Sequence, residues 1–135
     1  MYEIDVCYKI IFEAMLEKPE LKSIAEKINK YTGAKIIFVS GSGKILAYSY
    51  ACEQDNSEFV KWNHVTSYEY EKFRRGEAAG AYQIALKPVE IPGRPDGYVV
   101  ILYSEVEFRQ FFEELAGVLG QAVKHYFAEA EKELV

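Results

Sequence analysis

A chain of 135 residues, half of them hydrophobic and 27% charged, is one ordinary domain with enough apolar surface for a core, which excludes a disordered segment. No apolar run reaches the ~20 residues that a membrane-spanning helix needs, and the start, MYEIDVCYK, carries no basic-then-apolar leader. The net charge of −5 disfavours sequence-independent nucleic-acid binding, which depends on Lys and Arg neutralising phosphate.

Residues 3 to 17 are predicted to be helical. Ile4, Cys7, Tyr8, Ile11 and Met15 follow the three–four spacing of one helical face. Ile10, Phe12, Ala14 and Leu16 widen that stripe, so the helix is expected to be covered on more than one side. A second helix follows, with Pro19 suited to its first turn. Leu21, Ile24, Ala25, Ile28 and Tyr31 make its apolar face, and Lys22, Glu26, Lys27 and Lys30 its polar one. Gly33 stands where a helix C-cap wants positive φ.

Lys35 to Val39 reads as a short apolar strand, Ser40 to Gly43 as a turn, and Lys44 to Tyr50 as a second strand, together a hairpin. In the second strand Ile45, Ala47 and Ser49 face one way, and Leu46, Tyr48 and Tyr50 the other. Ser40-Gly41-Ser42-Gly43-Lys44 is not a phosphate loop, because its spacing differs from a Walker motif and its lysine opens a strand rather than a helix. Residues 51 to 79 are the least regular, with short helices expected from Ser57 to Trp62 and from Ser67 to Arg75.

Ala81 to Ile91 is predicted to be a long strand whose alternation of Tyr82, Ile84 and Leu86 slips at Pro88, marking a bulge or an edge position. After the turn of residues 92 to 97, Tyr98 to Tyr103 is apolar throughout and is expected to be a central strand covered on both faces. Ser104 and Glu107 form the pattern of a capping box for a helix to about residue 132. Phe108, Phe112, Leu115, Leu119, Ala122 and Tyr126 form one stripe of that helix, and Phe111, Val118, Val123 and Phe127 a second. Such width calls for a partner helix, either the first helix of the chain or a copy of the last one in a dimer. Gly117 and Gly120, each costing about 1 kcal/mol inside a helix, point to close approach of another backbone.

The element order implies an α+β fold with antiparallel pairing. Neither cysteine lies in a metal-type or Cys-x-x-Cys spacing, so Cys7 and Cys52 are read as reduced thiols of a cytoplasmic protein. His64 and His125 belong to no ligand motif, and no metal or cofactor is expected. No nucleophile lies beside a base and an orienting group, which argues for a non-enzyme. Arg74 and Arg75, behind Tyr68, Tyr70 and Phe73, suit either an anionic planar ligand or a solvated basic pair among Glu69, Glu71 and Glu77. Seven of the eleven tyrosines lie between Tyr48 and Tyr103, and tyrosine suits a half-polar cavity as well as strand packing.

Thr32-Gly33, Ile36 to Val39, Gly43 and Ile45-Leu46-Ala47-Tyr48-Ser49 together resemble the opening of a GAF-type sensory domain, as found at the N-terminus of PucR-like transcriptional regulators. Gly97-Tyr98-Val99-Val100-Ile101, leading into a long helix, is similar to the same family. An acidic residue common before the turn in such domains is Ser40 here. The resemblance implies a GAF/PAS-like antiparallel sheet flanked by N- and C-terminal helices, a pocket on one sheet face, and dimerisation through the terminal helices. It implies residues 1–135 as a single sensory domain, with the helix of about 105–132 serving dimerisation and signalling. The output DNA-binding domain lies outside this chain, so the chain is expected to be part of a longer regulator.

The expected ligand is a small metabolite, and Tyr48, Tyr50, Trp62, His64, Tyr68, Tyr82 and Tyr103 are the candidate contacts. Phe108, Phe112, Leu115, Leu119, Ala122 and Tyr126 are the candidate homodimer interface. The competing readings are a ligand-free dimerisation module and a small enzyme on a related fold.

Overall fold

A computed structural model describes residues 2–17, 20–41, 45–49, 83–91, 93 and 96–133. The elements are α1 (Ile4–Glu17), α2 (Leu21–Thr32), β1 (Lys35–Val39), β2 (Ile45–Tyr48), β3 (Gln83–Val89), β4 (Gly97–Tyr103), a 3-10 turn (Val106–Phe108) and α3 (Arg109–Glu133). The expected α+β class holds: one four-stranded antiparallel sheet, in the order β2-β1-β4-β3, carries helices on one face.

The helix α2 forms because its apolar residues fall on one side. Leu21, Ile24, Ala25 and Ile28 are buried against β1 and β2, leaving the lysines outside. It ends at Gly33, whose φ of 77° lets its N–H reach the Asn29 carbonyl at 2.7 Å. The Thr32 hydroxyl donates to the Ile28 carbonyl at 2.8 Å and accepts from the Ala34 N–H at 3.2 Å, so the buried threonine is satisfied. A Cβ on Gly33 would meet no atom within 4 Å. Gly33→Ala is therefore expected to cost about 1 kcal/mol from left-handed strain alone, read as a shifted urea midpoint with an unchanged slope.

In β4, Val99 to Tyr103 are all buried, as expected for a central strand. Among the described strands β3 lies at the edge of the sheet, and Pro88 pairs with Tyr98 in a continuous register from Gln83 to Val89. An edge position without a bulge accommodates the proline, which has no N–H to give to a ladder. The backbone register runs on through Pro88, and what changes is the face that carries the apolar residues. Ala85 and Val89 face the helices, while Ile84 and Leu86 face the other way, so the strand is apolar on a different face at each end. The register does shift between Phe38 and Val39, where β1 meets β2.

The capping box at Ser104 does not form. Glu105 occupies the cap position without a side-chain bond, and the Phe108 N–H bonds the Glu105 carbonyl at 3.0 Å in a 3-10 turn before α3 begins. Pro19, Ser57 to Trp62 and Ser67 to Arg75 lie outside the described residues.

The helices stack in two layers. α2 and α3 lie on the sheet, and α1 packs on both of them through Cys7, Ile11 and Ala14. This arrangement explains the width of α3: its stripes serve the sheet and α1 together. Cys7 is fully buried, and burial pushes its thiol from 9.0 up to about 11. Its thiol-derived stability is complete below about pH 9 and is lost as pH rises towards about 11, because only the unfolded chain then sheds the proton. Cys7 is expected to resist thiol reagents in the native protein and to react once urea unfolds it, as peptide mapping of the labelled chain would read.

Candidate functional site

The sheet has two faces of different character. On the helix face, Ala47, Phe38 and Val99 lie in one cross-strand row, and Ile36, Ile101 and Ala85 in the next. On the opposite face, Tyr48, Ile37, Val100 and Leu86 form a continuous row across all four strands. Val39 and Tyr98 lie on one side of that row, and Leu102 and Ile84 on the other. Ile37, Val39, Val100 and Leu102 are each no more than 2% exposed, although none of the described helices packs on that face. At the end of β2 the Ser49 hydroxyl accepts from the Ile36 N–H at 3.1 Å, and the Ser49 N–H returns a bond to the Ile36 carbonyl at 2.9 Å. These two bonds extend the β1–β2 pairing one residue past Tyr48.

Tyr48 and Tyr103, the two candidate contacts that are described, lie on opposite faces of the sheet. Tyr103 points into the helical core, where its ring stacks on Phe112 at 4.3 Å, and burial raises its hydroxyl above the ordinary value. The structure therefore does not bring Tyr103 to the floor that Tyr48 borders; strand alternation assigns odd residues of β4 to the helix side. Tyr50, Trp62, His64, Tyr68 and Tyr82 lie outside the described residues, as do Arg74, Arg75 and Cys52. His125 is exposed on α3.

Four candidate dimer residues are used within the chain. Phe112, Leu115, Leu119 and Ala122 are buried in the core, and Phe108 and Tyr126 pack against it half-buried. Desolvating those apolar groups against the sheet and α1 leaves none of the four for a second copy. An aromatic cluster, not evident from the stripes, anchors the N-terminus. The Tyr2 ring lies 5.1 Å from Phe108, 5.5 Å from Phe111 and 5.9 Å from Tyr31. The Glu3 N–H donates to the Tyr31 hydroxyl at 2.9 Å. Burial, followed by a hydrogen bond with Glu105, raises the Tyr2 hydroxyl.

A shallow groove of about 310 Å³ opens where β3 meets α3, lined by Lys87, Asp96, Gly117, Gly120 and Lys124 among others. Gly120 is explained by the Val89 side chain, which a Cβ would meet at 3.4 Å; among the described residues no backbone of another helix approaches there. Among the described residues, no cluster of His, Cys, Asp and Glu could hold a metal ion. None of the described helices is long and apolar enough to cross a membrane.

Comparison with protein-family models finds none that matches the chain, and comparison with curated proteins likewise finds no match.

Proposed function

We propose that this chain is a small-molecule-sensing regulatory domain of the GAF-like, PucR-like type, cytoplasmic, acting on transcription through a DNA-binding domain outside the chain. The observation that carries the reading is the apolar floor of Ile37, Val39, Val100 and Leu102 with Tyr48 at its rim, on the sheet face turned away from the helices. Apolar floors with a few polar groups at the edge are the usual make-up of small-molecule sites. The hairpin of β1 and β2 supports the same reading, because it aligns Ile37 with Tyr48 in the stretch that resembles the family. The helices on the other face give such a site a rigid back wall.

A ligand shifts such a domain only by binding one conformation better than another. The test is thermal unfolding with purine intermediates, sugar acids and amino acids in turn. Ligand present at a hundredfold excess over its Kd stabilises the fold by about 2.7 kcal/mol, a shift of several degrees in Tm for a chain of this size. The shift is expected to shrink in Tyr48→Ala. A shift that persists in full with Tyr48→Ala would place the ligand elsewhere.

A second reading is a ligand-free dimerisation module, favoured by how completely Ile37 and Val100 are buried. It predicts no shift with any of the three classes.

A further inference from the structure

The groove between β3 and α3 is lined by two ammonium groups and two carboxylates, those of Lys87, Lys124, Glu90 and Asp96. All four residues are exposed. Among the described residues no ion pair or side-chain hydrogen bond engages any of them, so neither lysine lies within 4.0 Å of either acid. Charges of both signs therefore share a groove of about 310 Å³ without neutralising one another. That volume is at the lower end for small-molecule sites.

Strand pairing and helix direction order these charges along the groove. Phe112 stacks on Tyr103, which pairs with Gln83 at the start of β3, and Gly120 lies against Val89 at the end of β3. α3 thus runs along β3 in the same sense. Lys87, two residues before Val89 on the same strand face, stands at the Gly117 end. Continuing the register one step past Val89 and Gly97 sets Glu90 opposite Asp96, beyond Gly120. Lys124 comes one turn after Gly120, and a helical side chain leans toward the N-terminus of its helix, which returns this ammonium over the glycines. The groove has a cationic half beside Lys87 and an anionic end at Glu90 and Asp96, three strand residues or about 10 Å apart along the backbone. Val89, 4% exposed, gives an apolar floor between them. The wall over the cationic half is open: a Cβ on Gly117 would meet nothing within 4 Å.

We propose that this groove binds a zwitterion whose carboxylate and ammonium are several bonds apart, the class of ω-amino acids and dipeptides. The carboxylate lies between Lys87 and Lys124, the ammonium between Glu90 and Asp96, and the connecting chain over Val89. A singly charged molecule satisfies one end only. An α-amino acid, with its two charges on one carbon, does not span both. Because the four groups are exposed, each contact is modest and the affinity is of millimolar order. The site is on the helix side of β3 and holds whether or not the opposite sheet face takes a ligand.

An NMR titration of the full chain with δ-aminovalerate tests it, since the amides of Gly117 and Gly120 report the groove and those of Ile37 and Val100 report the opposite face. The glycine amides are expected to shift with a Kd of about 1 mM. Valerate, pentylammonium and free alanine are expected to bind about fivefold more weakly or worse, each losing one charged contact. Lys87→Gln is expected to weaken δ-aminovalerate by about fivefold. Gly117→Leu, which fills the groove and replaces a poor helix former by a good one, is expected to abolish binding while circular dichroism stays that of the wild type. Glycine amides that do not move up to about 10 mM, or shifts confined to Ile37 and Val100, would overturn the proposal. So would valerate or pentylammonium binding as tightly as δ-aminovalerate, or a folded Gly117→Leu variant that binds like the wild type.

Discussion

Phe112→Ala is expected to lower the unfolding free energy by about 3–5 kcal/mol, the usual cost of emptying a buried aromatic site. Phe112 is fully buried, stacks on Tyr103 at 4.3 Å, and meets Phe111 and Tyr2 edge-on at 5.1 and 6.0 Å. Its ring joins the central strand, the long helix and the N-terminal segment, so no single neighbour can collapse into the void. A domain holding about 5–15 kcal/mol in total would lose much of its margin. Urea unfolding followed by circular dichroism reads the change. A loss below about 1 kcal/mol would mean that Phe112 is not a central core residue.

Ile37→Ala is expected to cost about 2–5 kcal/mol, while Leu46→Ala stays within about 0.5 kcal/mol. Both residues belong to the β1–β2 hairpin, but Ile37 is fully buried on the face turned away from the helices, whereas Leu46, opposite the register shift, is 39% exposed. If that face were open to water, the two substitutions would have similarly small effects. The contrast therefore measures, in the same urea experiment, how dry the floor of the proposed site is. Equal and small losses would remove the floor from the account.

Much of the frame was legible because periodicity reports burial directly. The α2 face, the Gly33 cap, the β1–β2 hairpin and the two-sided burial of β4 all follow from which residues repeat at which spacing. The errors share a physical origin. On α1 the apolar residues run nearly round the helix, and spacing cannot say which arc is covered. The spacing puts Tyr8 with Cys7 and Ile11, whereas the fold leaves it half in water beside Phe12 and Leu16. On α3 the two stripes were both assigned correctly as apolar, but the choice between a partner copy and α1 depended on tertiary packing, and α1 takes that place within the chain. The Ser104 pattern failed because a backbone bond in a 3-10 turn competed with the side-chain cap.

The candidate site was less legible than the fold. A tyrosine in a strand shows its face only once the register is known. The register separates Tyr48, beside Ile37, from Tyr103, beside Phe112. Tyr2 and Phe108 meet through a contact more than a hundred residues apart in sequence, which no local spacing encodes. The floor residues themselves, Val100 and Leu102, were visible as part of an apolar run, but their membership of the face away from the helices came from pairing alone.

Native mass spectrometry of the freshly purified protein tests the central claim most directly, because it weighs the chain together with anything it retains. The sensory reading predicts a defined small-molecule mass above that of the chain, reduced in Tyr48→Ala. The bare chain mass, joined by an unchanged Tm with purine intermediates, sugar acids and amino acids, would contradict it.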